Sequence, residues 1–235
     1  MSDEKSLKYN EPWILQRADP YVYRHTDGSY YFTASVPAYD GIVLRRAGTL
    51  AELSGAEEVM VWKKHESGPM SYHIWAPEIH YLFGKWYIYF AGGEAEDIWK
   101  IRPYVLECSG DDPLTDEWVE LGKMKRAAED EFSFEAFSLD ATVFENKGEY
   151  YYVWAEKVGV GKMISNLYIA KMESGNQLKT VQILLTTPDY DWERKGFWVN
   201  EGPAVIHHDG KLFLTYSASE TGVDYCCLLY TSPSP

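Results

Sequence analysis

Residues 140–155, DATVFENKGEYYYVWA, contain the pattern that decides the fold. An acid opens a short apolar run, a Lys147-Gly148 turn interrupts it, and an aromatic run follows. A glycine turn between two such runs is typical of a β-hairpin. The segment therefore predicts two antiparallel strands with a carboxylate at the entrance of the first.

The same pattern occurs four times along the 235 residues, with an entrance, an apolar run, a turn glycine and an aromatic exit strand in each copy. The copies span Asp19 to Ser35, Ala76 to Ala91, Asp140 to Ala155 and Glu201 to Ala218. Further strands are predicted between them at Ile42 to Arg45, Tyr104 to Cys108, Asn166 to Lys171 and Val181 to Leu185. The turn glycines are 56, 64 and 62 residues apart. This period suits a four-stranded propeller blade better than the shorter repeat of a β-solenoid, so we predict an all-β propeller.

The composition excludes some classes of partner. The net charge of −14 argues against nucleic acid and against an anionic membrane surface, since both require clustered Lys and Arg. Three cysteines, Cys108, Cys226 and Cys227, do not suggest a disulfide framework. The polar start lacks the apolar core of a signal peptide, and no apolar run is long enough to span a bilayer. We therefore expect a soluble, cytoplasmic protein.

Three copies open with an acid, Asp19, Asp140 or Glu201, whereas the second copy has Ala76 there. The hairpin itself therefore does not require an acid, and a carboxylate beside an apolar run is costly to bury without a partner. A turn or cap role remains the alternative for each acid. Carboxylates that converge at the centre of a propeller favour glycosidic bond hydrolysis, which needs one acid and one carboxylate.

Four motifs in order resemble those of family-43 glycoside hydrolases. They are Ala18-Asp19-Pro20, His73 to Glu78 (HIWAPE), Ser138 to Ala141 (SLDA) and Asn200 to Pro203 (NEGP). Ser165 to Ala170 (SNLYIA) and Thr215 to Ala218 (TYSA) resemble the α-L-arabinofuranosidase members in particular. The resemblance implies a five-bladed β-propeller that inverts configuration at the sugar.

The resemblance also implies roles for the acids. Asp19 would be the general base that activates water, Glu201 the general acid, and Asp140 the group that tunes the pKa of Glu201 and orients it.

Further residues would bind the substrate at the end of the central channel. Trp75 would stack on the sugar, Phe137 and Ser138 would line the pocket, and Asn200 would hydrogen-bond the sugar or position Glu201. Core packing is the alternative for Trp75 and Phe137, and a turn role for Ser138 and Asn200. The resemblance allows a structural Ca²⁺ ion, but no residue can be named as its ligand, so we expect no metal site and no catalytic cofactor.

Only four copies are visible where a five-bladed propeller is expected. We therefore predict one domain, residues 1–225, that lacks its fifth blade. The pattern stops after Tyr225, and we expect residues 226–235 to be a non-native or disordered tail.

These observations predict an inverting glycoside hydrolase that releases terminal α-L-arabinofuranosyl residues from arabinan or arabinoxylan fragments. Its partners would be arabinose- or xylose-containing saccharides. Two alternatives remain: a β-xylosidase of the same family, and a truncated inactive fragment or carbohydrate-binding propeller.

Overall fold

The computed structural model describes residues 12–158 and 164–230. Within these two ranges the ordered elements are β-strands and two short 3-10 helices, without an α-helix. The predicted all-β class is therefore confirmed. Neither range contains a helix that is long and apolar enough to cross a membrane.

The first two blades are four-stranded antiparallel sheets in chain order. The first consists of β1 (Ala18–Arg24), β2 (Tyr30–Ser35), β3 (Gly41–Ala47) and β4 (Val59–Lys63), with a 3-10 helix at Ala51–Ser54. The second consists of β5 (Tyr72–Leu82), β6 (Lys85–Glu94), β7 (Asp97–Cys108) and β8 (Val119–Lys123). Each of these two sheets forms one blade.

The third and fourth blades are joined into one larger sheet. The third contains β9 (Ser138–Asn146), β10 (Glu149–Val158), β11 (Ile164–Ser174), the two-residue β12 (Gln177–Leu178) and β13 (Ile183–Thr186). A second 3-10 helix, Asp191–Glu193, precedes the fourth blade, which contains β14 (Trp198–His208), β15 (Lys211–Ala218) and β16 (Cys226–Tyr230). A short parallel pairing of Ile164 with Trp198 and Ser165 with Val199 connects β11 to β14. The expected count of about four blades is confirmed.

The first strands of neighbouring blades contact one another, β1 with β5, β5 with β9, and β9 with β14. These four strands therefore line the centre of the molecule, and each blade extends outward from its first strand. Because the predicted acids stand at the entrances of three of these strands, this arrangement brings them to the same end of the centre.

The hairpin turns follow the predicted glycines. Phe83-Gly84, Lys147-Gly148 and Asp209-Gly210 have positive φ at both residues, as the tight turns of twisted hairpins require. Gly28 (φ 92°) closes a longer loop, in which its N–H donates to His25 O at 3.0 Å. The first hairpin is thus one residue longer than the others, which affects the alignment of the acids.

The core is aromatic and lies between the blades. Trp86, Phe90 and Trp62 pack between the first and second blades, whereas Tyr152 and Trp154 pack between the second and third. Each buried ring contributes roughly 1.5–3 kcal/mol relative to exposure. The aromatic exit strands of the repeat are thus the contact surfaces of adjacent blades.

The C-terminal end differs from the expectation of a tail after Tyr225. Cys226–Tyr230 form β16, which pairs antiparallel with β15 and aligns Ser217 with Cys227. The remaining predicted tail residues, 231–235, lie outside the described part of the chain. The outer strands β4, β8 and β16 have short or weakly alternating sequences, which explains why the repeat pattern did not reveal them.

Candidate active site

A β-bulge interrupts the first strand of every blade at the same end. In β9, Leu139 pairs with Ala155 and Thr142 with Val153, so the strand gains one residue over its partner. The same shift occurs in β1, β5 and β14. The bulged residues are Asp19, Ala76, Asp140 and Gly202, with φ of 49°, 45°, 51° and 58°. Asp and Gly enter this left-handed region more readily than most residues, and bulges re-aim side chains beside active sites.

Glu201 lies one residue before the bulged position, which corrects the expectation that all three acids occupy matching places. Glu201 pairs with Ser217 as Leu139 pairs with Ala155, and Gly202 is the counterpart of Asp19 and Asp140. Counting back from the turn glycines concealed this offset because the first hairpin is one residue longer. The carboxyl of Glu201 is therefore attached to the residue before the bulge, whereas Asp19 and Asp140 are themselves the bulged residues.

The three acids nonetheless line one pocket of about 350 Å³ at the bulged end of the first strands. Trp75 and Phe137, two of the predicted binding residues, form part of its wall. The other lining residues are Ala18, Tyr39, Leu139, Lys157, Phe197, Val199, Ser219, Glu220, Thr221 and Tyr225. The volume is at the lower end of small-molecule pockets, which suits a ligand of about one sugar ring.

The other two predicted binding residues lie behind the wall and do not line the pocket. Ser138 is fully buried, and its hydroxyl donates to Ala136 O at 2.8 Å. Asn200 is also fully buried, and its amide hydrogen-bonds the Thr186 hydroxyl at 2.9 Å. Ser138 thus fixes backbone next to the pocket, and Asn200 ties β14 to the side chain of Thr186.

Asp19 is held by a hydrogen-bond relay from the second blade. The Ser35 hydroxyl donates to Asp19 Oδ2 at 2.6 Å and accepts from the Ala76 N–H at 2.8 Å. The bulge that carries Ala76 therefore orients the carboxylate of the preceding blade, even though Ala76 has no functional side chain.

Asp140 is held in the same way by the fourth blade, since the Gly202 N–H donates to its Oδ2 at 3.0 Å. Burial raises the pKa of Asp140 well above its usual range, and the charges of Glu201 and Asp19 raise it further. The hydrogen bond from Gly202 opposes this shift without cancelling it. A carboxyl in these surroundings tends to keep its proton.

Glu201 also holds its proton more tightly than a free glutamate. Burial raises its pKa, a hydrogen bond from the Tyr225 hydroxyl and the charge of Lys157 lower it, and the charge of Asp19 raises it. Asp140 and Glu201 interact, so the two protons are lost in separate steps whose pKa values belong to the pair and not to either residue alone. The pocket therefore contains a buried carboxyl pair that is protonated to a higher pH than isolated carboxyls, with a third carboxylate beside it.

The comparison with known proteins assigns the chain to a family. The family model of the glycosyl hydrolases family 43 matches residues 9–235. This chain belongs to glycosyl hydrolase family 43. The resemblance seen in the four motifs is thus confirmed, and the match extends through the residues that we expected to be a tail.

The relatives of this family-43 chain include two from Streptomyces, both named extracellular exo-α-(1→5)-L-arabinofuranosidase. The protein from Streptomyces chartreusis is 48% identical over 95% of this chain and 66% of its own length. The protein from Streptomyces avermitilis is 48% identical over 94% of this chain and 45% of its own length. The chain thus spans between about half and two thirds of these relatives.

A solved structure agrees with the sequence relatives. The crystal structure of an α-L-arabinofuranosidase from Lactobacillus brevis superposes on this chain with a TM-score of 0.83 and a sequence identity of 50%. The superposition covers 93% of this chain and 68% of the Lactobacillus brevis chain. This similarity confirms the propeller fold of family 43.

The comparison also corrects the expected location. We expected a cytoplasmic protein because the first residues are polar, but both Streptomyces relatives are named extracellular. The prediction of a cytoplasmic protein was therefore wrong, since the visible N-terminal residues were not a sufficient guide to location.

Two pocket residues of this family-43 chain, Lys157 and Tyr225, escaped the sequence analysis. The Lys157 N–H donates to Phe137 O at 2.9 Å, and its Nζ lies 4.0 Å from the centre of the Phe137 ring. Lys157 follows the third repeat copy by two residues, at the end of the exit strand β10, and this position was a usable signal. Tyr225 had no such signal, because it lies in the loop between β15 and β16, outside the repeated pattern.

Glu156 supports the pocket from behind. Its carboxylate accepts from the Phe134 N–H at 2.9 Å, the Ala136 N–H at 3.0 Å and Trp154 Nε1 at 2.9 Å. These bonds fix the segment that leads into Phe137. In the described ranges, no group of three or more His, Cys, Asp or Glu side chains could hold a metal ion.

Asp140→Asn is expected to stabilise the fold at neutral pH by about 1 kcal/mol. A carboxyl whose pKa is raised on folding destabilises the native state increasingly as pH rises from its unfolded pKa, about 3.9, to its folded pKa. Asparagine avoids this cost and can still accept from the Gly202 N–H. Urea unfolding at pH 7.5 and pH 4.5 measures the effect, which should shrink at the lower pH.

The matched control for this stability test is Asp111→Asn, which changes an exposed carboxyl that does not line the pocket. It should leave the free energy of unfolding within about 0.5 kcal/mol at both pH values. A less stable Asp140→Asn protein at pH 7.5 would contradict the assigned cost of burying this carboxyl.

Proposed function

We propose that the chain is an inverting glycoside hydrolase that releases terminal α-L-arabinofuranosyl residues from arabinan or arabinoxylan fragments. The observation that carries this proposal is the convergence of Asp19, Asp140 and Glu201 in one pocket. The names and high identity of the Streptomyces and Lactobacillus relatives support the sugar. The small volume of the pocket supports exo action, because it suits one terminal sugar ring.

In the proposed reaction, Asp19 takes a proton from a water molecule as that water attacks the anomeric carbon. Glu201 donates its proton to the glycosidic oxygen as the bond to the leaving sugar breaks. The raised pKa of Glu201 keeps this proton in place to a higher pH than an isolated glutamate would keep it. The charge of Asp19 helps Glu201 to keep this proton, and Asp140, which also tends to keep its own proton, would orient Glu201. The reaction needs only these carboxyls and water.

The inverting outcome is supported by the positions of the acids on separate blades. Asp19 lies on the first blade and Glu201 on the fourth, so the two carboxyls reach the pocket from different strands. Inverting enzymes need about 6.5–9.5 Å between the two carboxyls for this water. Ser35 and Ala76 hold Asp19 in a fixed orientation, as a base that positions water requires.

The β-xylosidase alternative has less support. The xylan β-1,4-xylosidase from Bacillus halodurans is similar in fold but only 17% identical, which shows the fold alone. A carbohydrate-binding propeller without catalysis would not need three converging carboxylates. Either alternative is separated from the proposal by direct measurement.

The proposal is tested with two chromogenic glycosides. The wild-type chain should have a kcat/KM at least tenfold higher for the 4-nitrophenyl α-L-arabinofuranoside than for the β-D-xyloside. This ratio corresponds to a difference of about 1.4 kcal/mol in transition-state stabilisation. Proton NMR of an early time point on an arabino-oligosaccharide should show the β-anomer of arabinose as the first product. Faster turnover of the xyloside would reverse the assignment, and an α-anomer would exclude inversion.

A further inference from the structure

An aromatic cluster continues from the pocket wall to the surface of the second blade. It consists of Trp75, His73 and Trp99, with ring centroids 4.3 Å apart for Trp75 and His73 and 5.2 Å apart for His73 and Trp99. Trp75 and Trp99 are 6.4 Å apart. Trp75 lines the pocket, whereas Trp99 is 61% exposed. The pocket therefore opens directly onto a neighbouring indole that solvent can reach.

We propose that this cluster is a binding platform for the sugar residues that follow the terminal one in a neutral oligosaccharide. The inference rests on the proposed function for the identity of the sugar, arabinose, but not for the binding itself. The terminal residue would occupy the pocket beside Trp75, and the next residues would leave over Trp99. An exposed indole next to a ligand pocket offers a flat apolar face of the kind that sugar rings cover.

The hairpin that carries Trp99 is fixed in place before any ligand arrives. Gly93 lies so close to the following turn that a Cβ atom there would be 2.8 Å from Ile98 O. The Ser71 hydroxyl accepts from the Ala95 N–H at 2.7 Å and donates to Gly68 O at 2.6 Å. The β6–β7 hairpin is therefore bent towards the start of β5, which brings Trp99 over His73. Binding to a preformed surface of this kind loses little conformational entropy.

His73 indicates that the cluster is not optimised for stability alone. Its backbone adopts a left-handed φ of 49°, which is unfavourable for most residues other than glycine. Both of its ring nitrogens are buried and have no hydrogen-bond partner in the described part of the chain. Burial lowers the pKa of His73 and favours the neutral ring. The neutral imidazole packs as a flat ring against both indoles. Its two unpaired nitrogens lower the stability of the fold, which an apolar side chain at this position would not do.

The charges around the platform favour a neutral ligand. The carboxylate of Glu94 pairs with Lys100 at 2.9 Å, and Glu96 accepts from the Gly68 N–H at 3.0 Å. The three rings themselves carry no net charge. An anionic saccharide would find no unpaired cation on these residues, whereas a neutral pentose chain would need only apolar faces and water.

The test measures binding in a chain that cannot turn over its ligand. In a Glu201→Gln background, calorimetry with arabinose and with α-(1→5)-arabino-oligosaccharides of two to four sugars gives a dissociation constant for each length. We expect the tetrasaccharide to bind more tightly than arabinose. Trp99→Ala should raise the dissociation constant of the tetrasaccharide about tenfold and leave that of arabinose unchanged. This is the effect expected when about 50 Å² of apolar contact area is lost at roughly 25 cal/mol/Å².

Two further variants keep the test specific. Phe132→Ala removes another exposed aromatic side chain, 67% accessible and outside the cluster, and should leave the length dependence as it is. Trp99→Phe should recover part of the lost affinity, because phenylalanine retains an aromatic face. A tetrasaccharide that binds no better than arabinose would overturn the platform, as would an equal loss at every length in Trp99→Ala.

The same experiment remains informative if the proposed activity fails. Absence of turnover in the wild-type chain contradicts the proposed function, whereas the length dependence of binding tests the platform independently.

Light scattering at the calorimetry concentration measures whether copies of the chain associate. Self-association that disappears in Trp99→Ala would assign this face to contact between copies of the chain and overturn the saccharide proposal.

Discussion

Glu201→Gln is expected to lower kcat on α-(1→5)-arabino-oligosaccharides by about 10⁴-fold, at the upper end of the contribution of a general acid. The departing sugar alkoxide is a poor leaving group, so cleavage of an oligosaccharide needs the proton of Glu201. A 2,4-dinitrophenyl arabinofuranoside releases a phenolate that is stable without a proton, so its loss should be only about tenfold. Rates on the two substrates measure this difference.

The pH profile provides a second measurement on the same variant. The wild-type rate should fall as pH rises through the pKa of Glu201, which burial raises, because the acid then loses its proton. Glutamine does not titrate, so the alkaline limb should disappear in the variant. The matched control is Glu117→Gln at an exposed site, which should retain both the rate and the limb. Equal losses on both substrates would contradict a proton-donating role.

Asp19→Asn is expected to reduce kcat by about 10³-fold on both substrates alike. The base activates the attacking water, and this need does not depend on the leaving group. Asparagine can still accept the hydrogen bond of the Ser35 hydroxyl, so the geometry around it should persist. Steady-state rates on the oligosaccharide and on the dinitrophenyl glycoside give the two losses.

The control for the base is Asp111→Asn at an exposed position that does not line the pocket, and it should keep the wild-type rates. A loss of less than tenfold in Asp19→Asn would contradict the assignment of the base. A loss that varies with the leaving group, as expected for Glu201, would show that the two roles had been exchanged.

The sequence was sufficient for the parts of the fold that depend on neighbouring residues. A turn such as Lys147-Gly148 and the aromatic strand after it are local, so they predict the hairpins and the blades directly. The convergence of Asp19 and Asp140 also followed, because the repeat places them at equivalent strand entrances. These features require only the spacing of residues along the chain.

Other features depend on contacts between distant residues and could not be predicted in this way. The offset of Glu201 follows from the pairing of Gly202 with the neighbouring strand, which no spacing along one copy reveals. The position of Trp99 depends on the close approach of Gly93 to Ile98. β16 is recognised by its partner β15 and not by its own sequence.

The bulges have a consequence for how such a pocket could be rebuilt. Asp19 and Asp140 are oriented, through Ser35 or directly, by the backbone N–H groups of Ala76 and Gly202 on the next blade. Every residue except proline has this group, so the support depends on the shape of the neighbouring strand and hardly on its side chains. The first strand of an unrelated propeller blade would therefore still support the acid of the preceding blade, provided that it made the same bulge.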